Sequence, residues 1–324
     1  MAQGLDAQWM LKEESTWGTY VAVDRAFEFQ TEAMENAIER SEFTAIKATN
    51  RVIQTGRWVA GKVGAGGEIA SAVYNKGQGI LWKHALGNIA TTTPTNGVLT
   101  RDHTATPANL LGKGLSIQIG KPFYDSATLK PFSYLGCKVG SWSMACAVGD
   151  FASLNFTFVA KNEDTAQTLG TYTPPTGLKV LSWSSGAFTI AGLTVPITEF
   201  SIAGNNQLDE DNYQMFSTSR LEPQETQLRE YTGSVTARFD STNGMTLYNR
   251  FVNGTEAALV ITLQGDLIEG SLYYSTILTA NVRFDGETPK VGDPGEMRLP
   301  LAFKVVDTGS SSLSIVYRTT DTTP

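Results

Sequence analysis

Strict alternation of apolar and polar residues marks two separated parts of the chain, and period two indicates antiparallel strands with one buried face. The alternating apolar positions are Trp142, Met144, Cys146 and Val148, then Ala152, Leu154, Phe156 and Phe158, and later Leu278, Ala280, Val282 and Phe284, then Leu299, Leu301, Phe303 and Val305. The pattern therefore predicts a mainly β fold with a pair of long neighbouring strands in each half.

Helical spacing occurs twice, once in each half, ahead of the long strands. Leu81, Trp82, Ala85 and Leu86 share one face before Gly87, and Leu247, Tyr248, Phe251 and Val252 repeat the spacing before Asn253-Gly254. A glycine directly after the last apolar position is typical of a helix C-terminus. The order strand, strand, short helix, strand, strand, strand thus runs twice, over 20–165 and 193–310, and a repeat of this kind sets the whole fold.

The repeat predicts two tandem β units of sandwich or barrel type, each with a short flanking helix. Their expected bounds are 1–165 for the first unit, 166–192 for a Thr, Gly and Pro-rich linker, 193–310 for the second unit and 311–324 for a polar C-terminal tail. A Thr-rich insertion at 91–114 lacks periodicity and is expected to be a surface loop. Residues 57–63 align with 229–235 by their glycine and valine positions, and residues 31–42 fit a helix or a strand.

Composition and charge exclude several classes of protein. The formal net charge is -7 and the sequence pI is near 5.0, so no basic groove for nucleic acid is expected. The two cysteines, Cys137 and Cys146, are too few for a disulfide framework and are expected to be buried thiols. The N-terminus lacks the basic and apolar regions of a signal peptide, and no apolar run approaches the ~20 residues needed to cross a bilayer.

Candidate chemistry is sparse. His84 is expected to be a structural histidine on the first helix, and His103 a solvated residue of the Thr-rich loop. The glycine-rich run at 61–68 lacks the Gly-Lys-Ser/Thr of a phosphate loop and fits a bulged strand better. The acidic run at 209–212 lacks the spaced ligands of a calcium loop. No catalytic residue, cofactor or metal is expected, so the sequence favours a structural subunit over an enzyme.

Several segments together resemble the major tail tube proteins of bacteriophages with long, non-contractile tails. They are residues 12–22 (KEESTWGTYVA), Arg25 with Phe27-Glu28-Phe29, residues 188–192, residues 195–208 and residues 233–239. Val23-Asp24 stands where that family often has Pro-Thr. The resemblance implies β-sandwich or barrel units whose inner strands join those of neighbouring subunits around a lumen, in rings that stack into a tube.

On this resemblance the expected partner is the chain itself, in a trimeric ring with pseudo-sixfold symmetry, or alternatively in a true hexamer. A tape measure protein inside the lumen, tail terminator and distal tail proteins, and double-stranded DNA in passage are the other expected partners, with no membrane. The protein would be made and assembled in the host cytoplasm and reside in the virion tail. Loops at 40–56 and 91–114 and the tail at 308–324 are candidates for ring stacking.

A DNA conduit should be neutral or acidic, because duplex DNA carries one negative charge per ~1.7 Å. The candidate lumen-lining carboxylates are Glu28, Glu32, Glu35, Glu39, Glu42, Asp209, Glu210 and Asp211. The rival interpretation is a monomeric β-sandwich that serves as a binding or adhesion module of a virion or cell surface, which would present an exposed aromatic cluster.

Overall fold

The computed structural model describes residues 3–291, 295–309 and 312–324. Nineteen strands are present in these residues, and all the strand pairs formed between them are antiparallel. A 3-10 turn at Gly4–Asp6 precedes them, and the helices are α1 (Gly79–Leu86) and α2 (Asn243–Asn253). The prediction of a mainly β fold with two short helices is confirmed.

The strands are, in chain order, β1 (Gln8–Glu13), β2 (Arg25–Phe27), β3 (Thr31–Glu32), β4 (Glu35–Glu42), β5 (Trp58–Ala72), β6 (Gly87–Thr92), β7 (Arg101–Pro107), β8 (Leu115–Pro122), β9 (Leu129–Ala147), β10 (Ser153–Ala160), β11 (Asn162–Asp164), β12 (Gly186–Ile190), β13 (Leu193–Thr194), β14 (Ile197–Asn205), β15 (Glu230–Arg238), β16 (Ala257–Glu269), β17 (Leu272–Gly286), β18 (Arg298–Val305) and β19 (Leu313–Thr319).

The same strand order occurs in both halves of the chain. In the first half the order is β4, β5, β10, β9, β8, and α1 lies in the connection from β5 to β8. In the second half the order is β14, β15, β18, β17, β16, and α2 lies in the connection from β15 to β16. The two halves are therefore repeats of one topology, whereas the domain bounds expected above stay a prediction.

Strand pairing gives the repeat a different register from the sequence alignment. Ala72 pairs with Ser153 at the start of β10, and Arg238 pairs with Arg298 at the start of β18, so these positions correspond. Gly67 of β5 then corresponds to Gly233 of β15, and buried Ile69 to buried Val235. The alignment of 57–63 with 229–235 is wrong by six positions, because alternating apolar residues look alike at any even shift and only the pairing distinguishes them.

The two repeats join in one continuous sheet. The second half of β9 pairs with β10 on one edge and with β14 on the other, where Glu199 to Asn205 lie opposite Ala147 to Ser141. We call this pairing of β9 with β14 the repeat junction. The strands β4, β5, β10, β9, β14, β15, β18 and β17 thus lie side by side, and we call them the central sheet.

Residues 31–42, which fitted either helix or strand, form β3 and β4 and pair with β5. The helical spacing of Ala33, Met34, Ala37 and Ile38 is misleading, because of these four apolar residues Met34 alone is buried. Gly67 has a φ of +147°, and a Cβ there would lie 2.1 Å from the Ala33 carbonyl oxygen. The glycine-rich run is therefore part of a strand whose backbone closely approaches its neighbour.

Three segments expected to be irregular contain strands. The Thr-rich insertion holds β7, whose His103 and Ala105 are buried, and the linker range holds β12, which pairs with β16. Residues 313–319 of the expected polar tail form β19 between β7 and β17, with Leu313, Ile315 and Tyr317 buried; residues 310 and 311 lie outside the described residues. The short period-two pattern of β19 was hidden by its polar flanks. Each of the three strands has a partner that is distant in the sequence: β19 for β7, β16 for β12, and β7 for β19.

Candidate assembly surfaces

One face of the central sheet is apolar and packs inside the protein, and the other is polar and open. The open face, which we call the polar face, carries mostly small hydroxyl and amide side chains. They are Ser141, Ser143, Ser153, Asn155, Thr157, Ser201, Thr232, Ser234 and Thr236. Along each strand these residues alternate with buried residues of the other face, such as Trp142, Phe156 and Val235.

Away from β4 and the start of β5, the charged residues of the polar face are acids and bases in equal number. The acids are Glu68, Glu199, Glu230 and Asp285, and the bases are Arg238, Arg283, Arg298 and Lys304. Lys304 pairs with Glu230, and Arg283 Nη2 lies 3.1 Å from Asp285 Oδ2. Each of these pairs is exposed and contributes little to stability, but together they leave the face close to electrically neutral.

The central sheet has an unpaired strand edge at each end. At one end β4 has β5 as its only partner strand among the described residues, so its outer edge is free there. At the other end β17 pairs with β16 up to Val282, and the edge of residues 283–286 on that side has no partner strand in the described chain. Free edges present unpaired backbone N–H and C=O groups, which readily pair with another strand.

An exposed arm extends from the β4 end of the sheet. It consists of β4, the connection at 43–57 and the first residues of β5, and every residue of β4 is exposed. Its large apolar side chains are exposed to solvent: Phe43, Ile46, Val52, Ile53, Trp58 and Val59. Ile46 is as exposed as in an isolated chain, at 106%. Exposed apolar side chains concentrated in one segment mark an interaction surface.

The corresponding connection of the second repeat, residues 206–229 between β14 and β15, is covered instead. We call it the covering loop, because it packs on the first repeat. Asn206 Nδ2 donates to the carbonyl oxygens of Ala85 at 2.9 Å and of Val139 at 2.8 Å. Arg229 Nη1 donates to the Leu86 carbonyl oxygen at 2.7 Å, which satisfies the C-terminus of α1.

The covering loop also extends the sheet beyond the end of β10. The Val63 N–H donates to Thr218 O at 2.8 Å, and the Arg220 N–H donates to Val63 O at 3.2 Å. The buried Lys138 ammonium lies 2.6 Å from Glu222 and donates to the Pro223 carbonyl oxygen. Burial lowers the pKa of Lys138, and the loop supplies the acceptors that a buried ammonium needs.

Of the eight carboxylates predicted to line a lumen, Glu35 lies on the polar face, because it pairs with Gly66 and shares the face of Glu68. Glu35, Glu39 and Glu42 lie on the arm, and 209–211 belong to the covering loop. Asp211 pairs with Lys62 of β5, and this contact raises the pKa of Lys62, with Glu39 adding to it. Glu32 pairs with Lys121 at 3.0 Å. Glu28 and Glu210 complete the set, and their part in a lumen stays a prediction.

The segment at 12–22 that carried the family resemblance is a structural anchor. The Glu14 carboxylate accepts hydrogen bonds from Gly18 N–H at 2.6 Å, Gly136 N–H at 2.8 Å and Ser116 Oγ–H at 2.9 Å. Burial nevertheless raises its pKa. Trp17 Nε1–H donates to the Gly136 carbonyl oxygen at 3.0 Å, where Gly136 has a φ of +65°. These residues tie the end of β1 to β9 at Gly136.

Both histidines have structural environments. His84 is buried in α1 with its Nε2 3.5 Å from Glu13 Oε1, and burial lowers its pKa, as expected for a structural histidine. His103 was predicted to be solvated, and this is wrong. Its ring lies between the Thr91 hydroxyl, 2.8 Å from Nδ1, and the Asp321 carbonyl oxygen, 3.0 Å from Nε2. The unpredicted pairing of β7 with β19 buries it.

Among the described residues, no group of three or more His, Cys, Asp or Glu side chains is placed to hold a metal ion. Within the same residues, neither helix has the length and apolar character of a membrane span. The prominent features are thus the open polar face, two free strand edges and an exposed apolar arm.

These features define a class: a mainly β subunit built from two repeats, with unpaired strand edges at both ends of one sheet. A family model described as phage tail tube protein matches residues 4–305, nearly the whole chain, so this chain belongs to the phage tail tube protein family. No curated protein matches the sequence.

Family membership gives the protein a structural role in the tail tube of a bacteriophage virion. It also implies that copies of the chain assemble into a tube together with other tail proteins. The resemblance found in the sequence is confirmed.

Proposed function

We propose that the chain forms closed rings by repeating its own internal junction between neighbouring subunits, and that stacked rings form a conduit for DNA ejection. The observation that carries the proposal is the repeat junction, where β14 of the second repeat pairs with β9 of the first. In the other repeat, β3 and β4 are equivalent to β14, and the end of β17 is equivalent to β9. The outer edges of these equivalent strands are free. A ring then needs no new kind of contact.

The register of the proposed contact follows from the repeat. Strand pairing places Glu199 at the position of Thr31, and Trp142 at the position of Gly286. By that equivalence, residues 31–37 of one subunit pair with residues 285–291 of the next. Residues 287–291 form no strand within the chain, so they are free to extend β17 when a neighbour arrives. Pairing these ends between subunits removes both free edges of the central sheet.

Eight strands of the central sheet from each of three chains would close one ring, which gives pseudo-sixfold symmetry because each chain holds two repeats. A ring of six chains is the alternative. Cryo-electron microscopy of assembled tubes decides between them. Three chains per ring with alternating repeats are expected, and six chains per ring would contradict the trimer.

A proline at the proposed contact tests the edge itself. In a strand, the backbone N–H groups of residues 287, 289 and 291 point to one edge. Residue 289 is a proline, which lacks an N–H, so this edge cannot form a complete set of backbone hydrogen bonds. Alternation then turns the N–H of Thr288 toward the neighbour. Thr288→Pro is expected to abolish rings while the monomer keeps its unfolding midpoint, whereas Ala127→Pro, in an exposed turn outside the contact, should leave rings intact. Normal rings from Thr288→Pro would contradict the proposed edge.

The polar face would line the lumen, since the opposite face is filled by the core. Its hydroxyl groups and balanced charges give DNA no array of cations to bind, and DNA affinity depends on such cations. A tape measure protein would occupy this lumen before DNA passes. Tail terminator and distal tail proteins would bind the ends of a tube assembled in the host cytoplasm.

Lysine substitutions test whether the polar face or the predicted carboxylates line the lumen. Ser143→Lys with Thr157→Lys places cations on the polar face, and Glu39→Lys with Glu42→Lys places them on the arm. If the polar face lines the lumen, the first pair slows DNA ejection from intact tails and the second pair does not. Slower ejection from the second pair alone would favour the carboxylates. Loops at 40–56 and 91–114 remain candidates for contacts between rings.

A further inference from the structure

We infer that the exposed arm of one subunit covers helix α2 of its neighbour in the same ring, as the covering loop covers α1 within the chain. The inference rests on the proposed ring, because the arm reaches the neighbour only if the neighbouring strands pair. The partner surface is α2 and the adjoining end of β17 on a second copy of this chain.

The covering loop provides the precedent. It leaves β14 just after the repeat junction, at Asn205, and immediately contacts β9 and the C-terminus of α1 through Asn206. The arm leaves the sheet from the equivalent place, beyond residue 37 of β4. If β4 pairs with the end of a neighbour's β17, the arm emerges beside that neighbour's α2 for the same geometric reason.

Helix α2 lacks the cover that α1 has. In α1 all residues but Lys83 are buried, whereas in α2 only Gly244 and Leu247 are buried. Val252 and Met245 expose 58% and 37% of their surface. Val252 and Asn253 hold the places of Ala85 and Leu86, yet no side chain of the described chain donates to their carbonyl oxygens. Carbonyl oxygens left this way at a helix C-terminus bond to water or accept donors from another chain.

Position 138 of the first repeat shows the same contrast. Lys138 pairs with Val159, and Arg283 pairs with Lys304 at the corresponding place in the second repeat. Lys138 is 2% exposed beneath the covering loop, and the Arg283 side chain is 47% exposed. The border of the polar face at Arg283 is therefore uncovered within one chain, whereas the equivalent border at Lys138 is covered.

The arm has the chemistry that this surface requires. Phe43, Ile46, Val52 and Ile53 supply apolar area for the exposed side chains of α2. Lys47, Arg51 and Arg57 supply donors, and residues 43–57 contain no acid. Cationic donors suit the negative end of a helix dipole and the exposed Glu256 that follows α2. In the covered repeat Arg229 plays this part at Leu86.

Disulfide trapping between two differently substituted chains tests the contact. One chain carries Ile46→Cys, the other carries Val252→Cys, and the native Cys137 and Cys146 are buried and out of reach. A disulfide requires Cα atoms within about 7 Å, so only a trans contact between arm and α2 gives a crosslinked dimer. Val52→Cys in place of Ile46→Cys samples a second point of the arm, and Val98→Cys in place of Val252→Cys is an exposed control.

The mixture with Val252→Cys is expected to crosslink at least about ten times more than the mixture with Val98→Cys, since a docked arm raises the local thiol concentration. Rings that form without crosslinking from either arm position, or with equal crosslinking in the control, would overturn the inference but leave the proposed function standing. If the unsubstituted protein forms no rings, the proposed function fails and this inference fails with it.

Discussion

Helices α1 and α2 hold the same place in the two repeats but differ in how deeply each is buried. Helix α1 lies beneath the covering loop and packs Trp82 against Trp142 and Phe156, with ring centroids 5.4 and 5.7 Å apart. Helix α2 has a longer sequence and a partly exposed apolar face. The difference arises because β6 and β7 pack on α1 and the covering loop reaches its C-terminus, whereas in the described residues no strand separates α2 from β16 and no loop covers α2. One chain therefore displays a completed contact and an open one side by side.

The largest expected effect is the loss of the α1 core. Trp82→Ala removes a fully buried ring and should lower the free energy of unfolding by ~3–5 kcal/mol. Tyr248→Ala in α2 removes a half-buried ring and should cost about a third as much. Urea unfolding of the monomers measures both. Equal losses would show that α2 is as well packed as α1 and would remove the contrast between the repeats.

The next largest effect concerns the covering loop. Asn206→Ala leaves the buried carbonyl oxygens of Ala85 and Val139 without these donors and should destabilise the monomer by ~1–3 kcal/mol. Asn249→Ala, on the exposed side of α2, should change stability by less than about 0.5 kcal/mol. A neutral Asn206→Ala variant would mean that the loop does not hold α1 in place.

Glu14 gives a smaller effect that depends on pH. Because burial raises its pKa above the unfolded value near 4.5, its protonated form is favoured by folding. Its contribution is fully present below pH 4.5 and is lost as the pH rises through the raised pKa. The stability difference between wild type and Glu14→Gln should therefore shift across this window, by no more than about 1.4 kcal/mol per pH unit. A difference that stays constant from pH 4 to 7 would contradict the raised pKa.

The smallest expected effect is at the arm. Ile46→Asp alters a side chain that is fully exposed in the monomer, so the unfolding midpoint should not change. Ring formation, measured by light scattering, should decrease. In a ring, the Asp carboxylate would lose its hydration against the apolar face of α2, which is unfavourable. A destabilised monomer would show instead that the arm folds back on its own chain.

Much of the fold was predictable from local patterns. Period-two apolar runs identified β9, β10, β17 and β18, and helical spacing with a following glycine identified α1 and α2, because these signals depend on neighbours in the sequence. The repeat was also visible. Its register was not, because an alternating strand fits its partner equally well after any even shift, and the hydrogen-bonded ladder alone removes that ambiguity.

The candidate surfaces were harder to predict. The candidate carboxylates were chosen by charge, whereas most of the polar face consists of Ser and Thr side chains and balanced ion pairs that carry no charge signal. The part of the carboxylates in a lumen stays a prediction. The structure also converted His103 and residues 313–319 from expected loop to core, since β7 and β19 bury them only when brought together across more than two hundred residues.

By itself the sequence determined the β character, the two helices, the duplicated plan and the resemblance to tail tube proteins, because alternation, caps and repeats are local properties of a chain. Only the tertiary structure decided which edges are paired and which are free. That outcome depends on the order of strands in space, and on a second repeat that covers the first while its own equivalent surface stays open.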